Sequence, residues 1–256
     1  ETALLLKSRV ALFEGTWLKY FKNTAFVPNG PEWPGKSKDY NAGYQFPTGD
    51  IDKEINYFLT QSMEASKAVG DEITLVENTG LVQQSAAEAA NPYMDMFSAE
   101  NMSGYSEVLL WRPYSKALGV THNVVTAGQH GNYGIGLTRG MVEGFLMANG
   151  LPIYSPNSGY QGDETIADVR KDRDSRLSIF LKEPGQKNIL FEAAGGDMAV
   201  PVEPYPVILN SNAEKGYSTG YALRKGGSYE QKQCDNTQNY TGALAFRGTE
   251  ALLNYM

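Results

Sequence analysis

The sequence predicts a mainly α-helical chain in which a helix pair is followed by a large irregular, loop-rich lobe with a few short strands. Three observations carry that expectation. Apolar residues recur at helical spacing over residues 2–22 and 51–70. From residue 151 to 243 no period is sustained, and glycine, proline, asparagine and serine punctuate short apolar runs. A helical pattern then resumes at residue 245. The expected divisions are a helix pair at 1–70, an irregular lobe at 71–243 and the start of a further helix at 244–256.

In the first helix Leu6, Val10, Phe13, Trp17 and Tyr20 follow one another at steps of three or four and form the expected apolar stripe. Residues 23–49 contain Pro28, Pro31, Pro34 and Pro47 with Trp33, Tyr40 and Tyr44, a connection longer than helix pairs usually need. The second helix begins after Asp50, a good N-cap, shows Ile51, Ile55, Phe58, Ser62, Ala65 and Val69 on one face, and stops at Gly70. Residues 92–97 predict a short helix, 107–112 a strand, and 137–147 a helix closed by Gly150. Within the irregular stretch, 177–181, 207–209 and 221–224 predict short strands, and the mixed charges of 163–176 predict a solvated helix face. The last helix is expected to turn Ala245, Thr249, Leu252 and Met256 to one side. The chain opens and closes in helical pattern, which predicts a piece of a longer protein.

Composition narrows the function classes. With 22 basic and 29 acidic residues the net charge is −7, which disfavours nucleic acid and anionic lipid surfaces as partners. One cysteine, Cys234, leaves no internal disulfide and no thiolate cluster. No apolar run is long enough to span a membrane, and the N-terminus lacks a secretory signal pattern. Glycine (27) and tyrosine (16) are enriched, as in proteins that recognise ligands on surface loops.

Two motifs look catalytic and fail on physical grounds. Gly30-Pro-Glu-Trp-Pro-Gly-Lys-Ser37 spells a phosphate-binding loop. Pro31 and Pro34 remove amide donors that such a cradle needs, and neither the strand before nor the helix after is present. Gly216-Tyr-Ser-Thr-Gly220 spells a nucleophile elbow, yet both histidines, His122 and His130, precede it. Those two histidines lack further ligands at zinc spacing, and the acids among 163–174 lack the alternation of a calcium loop. A glycosidase would need two carboxylates across a cleft, which sequence alone leaves open.

What remains is a set of aromatic and amide-bearing loops. Sugar rings present apolar C–H faces rimmed by hydroxyls, so flat aromatic side chains beside polar groups suit them. Tyr133, Tyr154 and Tyr160 are the expected platforms, with Arg112 and Asn132 as polar partners, chosen on loop position and residue chemistry.

Four blocks, taken together, carry a resemblance. They are Thr138-Arg-Gly-Met-Val-Glu-Gly-Phe-Leu-Met-Ala-Asn-Gly-Leu-Pro152, Arg173-Asp-Ser-Arg-Leu177, Thr219-Gly-Tyr-Ala-Leu-Arg-Lys-Gly226 and Ala245-Phe-Arg-Gly-Thr-Glu-Ala-Leu-Leu-Asn-Tyr255. In this order and spacing the chain resembles the SusD/RagB family of nutrient-binding outer-membrane lipoproteins. Ser175 stands where the family usually has proline, and Gly248-Thr249 where an apolar residue and alanine are commoner. The resemblance implies a TPR-like α-α superhelix scaffold carrying a loop-rich lobe. It also implies capture of an oligo- or polysaccharide and its delivery to a TonB-dependent, SusC-like outer-membrane transporter, with no catalysis and no cofactor. The implied location is the cell surface, through an N-terminal lipid anchor outside this chain. The alternatives are an oligopeptide ligand in the same family, or a helical scaffold that binds only its protein partner; aromatic residues on loops rather than helix faces speak against the last.

Overall fold

The computed structural model describes residues 1–130, 135–192, 200–209 and 217–256. Helices supply most of the regular structure, as the sequence predicts, and among the described residues one two-stranded sheet pairs β1 (Val108–Arg112) with β2 (Ala243–Arg247). The chain forms two units: Glu1–Leu75, Ser106–Leu110 and Ala245–Met256 make the first, Val76–Tyr105 and Trp111–Leu244 the second.

The first unit is built on α1 (Thr2–Tyr20), α2 (Ile51–Gly70) and α8 (Gly248–Tyr255). Asp50 caps α2 by accepting the Lys53 amide at 2.9 Å, and Ile55, Ser62, Ala65 and Val69 are buried as expected. In α1 the expected stripe is overturned. Leu6, Val10, Phe13 and Tyr20 are exposed, Phe13 to 63%, and the buried face is Leu5, Ser8, Ala11, Gly15 and Leu18. The reason is close approach: a Cβ on Gly15 would stand 2.9 Å from Leu59 Cδ2, so the contact line is made of small residues that a search for large apolar ones passes over. Polar side chains share that line. The Ser8 and Ser66 hydroxyls are hydrogen-bonded, Ser62 Oγ donates to the Ser8 carbonyl at 3.0 Å, and Asn254 Nδ2 donates to Ser8 Oγ at 3.1 Å.

At one end of the pair Leu18, Val27, Phe46 and Ile55 form a cluster, flanked by Trp17 and Phe58, that anchors the 23–49 connection. Each such side chain contributes roughly 1.5–3 kcal/mol by burial. The connection is a chain of turns in which the Gly30, Trp33 and Lys36 amides donate to the carbonyls of Val27, Gly30 and Trp33. Amides committed to turns cannot cradle an anion. Gly30 is needed for a different reason, since a Cβ there would lie 1.8 Å from the Thr24 carbonyl oxygen.

The C-terminal segment departs from expectation as well. Ala245 lies in β2, Met256 is exposed, and α8 turns Gly248 and Ala251 inward. Ala251 packs with Leu5 and Val69, while a Cβ on Gly248 would fall 2.3 Å from Ile73 Cδ1. Arg9 grips Glu250 through two bonds of 2.6 Å and lies 4.5 Å over the Phe246 ring.

The second unit holds short helices stitched by isolated bridges: α3 (Pro92–Met96), α4 (Val124–His130), α5 (Arg139–Gly144), α6 (Ile166–Arg170) and α7 (Ser175–Phe180). Residues 177–181, expected as a strand, belong mostly to α7, because Asp174 accepts the Arg176 amide at 2.8 Å and starts a helix there. Residues 207–209 form no strand, and 221–224 contribute only the Leu181–Leu223 bridge. The helix expected at 137–147 is confined to α5, capped by the Thr138 hydroxyl.

Arg173 caps the end of α5. It is 4% exposed, and its guanidinium donates to the carbonyls of Val142 (2.7 Å), Phe145 (2.8 Å) and Val169 (3.1 Å). These include the last carbonyls of α5 and α6, which have no partner inside their own helices. The 163–176 stretch is therefore not wholly a solvated face. Val142, Val169, Leu177 and Leu181 form the apolar cluster around it. Among the described residues no helix is long and apolar enough to cross a membrane.

Candidate ligand-binding site

In the second unit a cleft of about 410 Å³ opens between the start of α6 and the segments around Glu183, Tyr205 and Thr219–Tyr221. Each wall has a local cause. Thr165 caps α6, accepting the Asp168 amide at 3.1 Å while its hydroxyl donates to the Asp168 carboxylate at 2.6 Å. Asp163, just ahead, is held by Arg139 at 3.2 Å. Glu183 is ion-paired to Arg170, whose guanidinium is mostly buried.

The opposite wall is pinned by backbone pairing. Arg224 and Lys182 amides donate to the Phe180 and Ala222 carbonyls at 2.8 and 2.9 Å, and the Leu137 amide donates to the Tyr221 carbonyl at 2.9 Å. Tyr221 packs on the apolar cluster and faces the cleft with its remaining edge. Gly220, at φ +78°, makes the turn that brings Tyr221 there.

Tyr205 is 82% exposed and lines the cleft, and its backbone is anchored two residues away. Glu203 is buried beside Lys182 at 3.1 Å and accepts from Asn188 Nδ2 at 2.7 Å. Lys182 also donates to the Tyr217 hydroxyl at 3.3 Å, which donates to the Gly128 carbonyl at 2.6 Å. Burial lowers the Lys182 pKa to about 8, with Glu203 opposing the shift, so the ammonium is charged at neutral pH. The result is an exposed aromatic ring two residues from a hydrogen-bonded, ion-paired Glu203, beside carboxylates that accept hydrogen bonds.

The residues singled out from sequence fall in different places. Tyr160 lies three residues before Asp163 and stacks over the Arg173 guanidinium at 5.4 Å. Burial, then the Asp163 charge, raises its hydroxyl pKa. Tyr154 is 85% exposed on a loop tied by Ser158 Oγ to the Ile153 carbonyl at 2.9 Å. Arg112 is exposed and stacks on Tyr114 at 4.9 Å. Among the described residues no hydrogen bond or ring contact joins Tyr154, Tyr160 and Arg112 to one another. Tyr133 and Asn132 lie outside the described residues. Tyr205 and Tyr221 were missed by sequence reasoning; Tyr221 sat in an expected strand, and the exposed Tyr205 between Pro204 and Pro206 was the signal available.

His122 has a structural place. Its Nδ1 accepts the Val124 amide at 3.1 Å, and Nε2 donates to the Thr241 carbonyl at 2.9 Å. Among the described residues no three His, Cys, Asp or Glu side chains are grouped to hold a metal ion.

No curated protein matches the chain. The crystal structure of a SusD-like carbohydrate-binding protein from Bacteroides fragilis aligns with 85% of this chain at 15% identity and a TM-score of 0.44. The chain spans 40% of that protein's length. The SusD family model matches residues 86–256, which include all four sequence blocks. With well over half of its length matched, the chain belongs to the SusD family.

Proposed function

We propose that this chain captures an oligo- or polysaccharide in the Tyr205–Tyr221 cleft and that the protein carrying it delivers the glycan to a TonB-dependent, SusC-like outer-membrane transporter. Membership in a family of binding proteins makes it a binder and not an enzyme. The location that follows is the outer-membrane surface, as a lipoprotein, with residues 71–243 as the binding lobe. The observation that carries the reading is the cleft itself: an exposed ring, a second tyrosine, and the acceptors Asp163, Thr165 and Glu183 around about 410 Å³. That combination meets the apolar face and hydroxyl rim of a sugar together. Tyr133, Tyr154 and Tyr160, with Arg112 and Asn132, remain proposed ligand contacts on residue chemistry alone.

Calorimetry of the intact protein against a polysaccharide panel tests it. Short oligosaccharides are expected to bind at about 0.1 to 1 mM, since two or three platforms are offset by the cost of association. Tyr205→Ala should weaken the best ligand roughly tenfold with no change in melting temperature. A panel in which no glycan binds would overturn the reading and favour a peptide; a Tyr205→Ala variant of full affinity would remove this cleft.

A further inference from the structure

A second cleft, of about 470 Å³, lies elsewhere in the second unit, lined by parts of the 83–105 segment, Phe191 and residues 228–233. Its charge is negative, with Asp95, Glu100 and Glu230 set against one lysine, Lys232. That lysine is engaged, its ammonium 2.9 Å from Glu100 and 3.5 Å from Glu230. Asp95 differs. Among the described residues no hydrogen bond or ion pair reaches its carboxylate, and burial alone raises its pKa above the usual carboxylate range.

Tyr229, Tyr105 and Phe191 line the cleft with Asp95, and the Arg224 guanidinium lies 5.7 Å from the Tyr229 ring. Tyr229 is 7% exposed, lines the cleft, and its hydroxyl has no hydrogen-bond partner among the described residues. Tyr105 lines it too. Burial raises both phenols, Arg224 opposes the shift at Tyr229, and the Asp95 charge adds to both. Phe191, 40% exposed, offers a ring on the cleft wall. A half-desolvated carboxylate without a partner is best satisfied by a donor that is itself positive, because charge-assisted bonds are about twice as strong as neutral ones. A hydroxyl brings one donor and no charge; an ammonium brings three donors and a full charge, and is also attracted to an aromatic face.

We propose that this cleft binds a primary ammonium group, carried by an amino sugar or by a peptide amine, with Asp95 as its counter-charge and Tyr229 and Tyr105 as further acceptors. The site is separate from the Tyr205 cleft and does not depend on it.

Calorimetry of the intact protein with a glucosamine oligosaccharide, its fully N-acetylated counterpart and a trilysine peptide tests this. At least one amine probe should bind about tenfold or more tighter than the acetylated sugar, and the responding probe identifies the source of the amine. Asp95→Asn should erase the preference, and Phe191→Ala, which leaves the carboxylate in place, should weaken the amine probe several-fold. Tyr205→Ala should change neither. The proposal is overturned if neither amine probe binds, if the acetylated sugar binds as well as the free amine, or if a folded Asp95→Asn variant keeps the preference. Neutral glycans lost only in Tyr205→Ala, with no amine preference, would keep the first reading and sink this one.

Discussion

Replacing Arg173 by methionine should destabilise the protein by about 3–4 kcal/mol, a value reached by opposing effects. The side chain satisfies three carbonyls at 2.7, 2.8 and 3.1 Å, two at the end of α5 and one in α6. A buried carbonyl stripped of its partner costs about 1–3 kcal/mol. The stack under Tyr160 adds about 0.5–1 kcal/mol at an accessible ring. Methionine fills similar volume and no longer requires a charge to be buried, which returns part of that sum and keeps the net loss below it. For a chain of this size each kcal/mol lowers Tm by about 2–4 °C, so a drop of roughly 10 °C is expected. Arg173→Lys should fall between, since a single ammonium cannot fork to three carbonyls in fixed directions. Thermal and urea unfolding followed by circular dichroism read this out. A methionine variant melting within about 2 °C of the parent would refute the account of Arg173 as the shared cap of two helices.

The other expectations are as follows. Gly30→Ala should destabilise the 23–49 connection by at least about 1–3 kcal/mol, because the new Cβ meets the Thr24 carbonyl at 1.8 Å, whereas Lys36→Ala should leave stability and ligand binding unchanged. A phosphate loop would give a lysine variant that loses nucleotide affinity, and finding that would sink this reading. Cys234 is buried, which pushes its thiol up to about 11. The native state then keeps a proton that the unfolded chain loses near pH 8.5, so this group makes stability fall as pH rises across that interval. Cys234→Ala should show a shallower loss of stability between about pH 9 and 11, and an identical slope would count against it. The Tyr205→Ala and Asp95→Asn titrations complete the set, one for each cleft.

Much of the scaffold was legible because α2 obeys local rules: Asp50 caps it, Ile55, Ser62, Ala65 and Val69 of the expected face are buried, and Gly70 is its last residue. The face of α1 was not, because there the contact line is drawn by Ser8, Ala11 and Gly15 and only then by Leu5 and Leu18. Hydrophobic size is a poor guide where backbones approach closely. Residues 177–181 have the apolar run of a strand, yet the Asp174 cap and the Leu181–Leu223 bridge make them a helix that ends in a single pairing, a choice settled by tertiary contacts. The family blocks were visible as letters. What the structure adds for Arg173 is the reason, one carbonyl four residues back and two more 28 and 31 residues back. For the clefts, aromatic residues on loops were the right chemistry, but Tyr205 meets Asp163 and Tyr221 only through folding, and no local pattern encodes that meeting.

The serine line between α1 and α2 acts as an indexing device. Helices joined only by aliphatic contact can slide by one turn, about 5.4 Å, and still bury comparable area. Here a slip would carry the Ser8 hydroxyl and carbonyl away from Ser66, Ser62 and Asn254 together. Several buried polar groups would lose their partners in one step, and each orphan costs about 1–3 kcal/mol. The aligned state is thus separated from its neighbours by more than its own hydrogen bonds contribute. Alanine at all three serines could leave the pair as stable as before while blurring which alignment it occupies, so that the loss would appear as a mixture of conformers before it appeared in a melting curve.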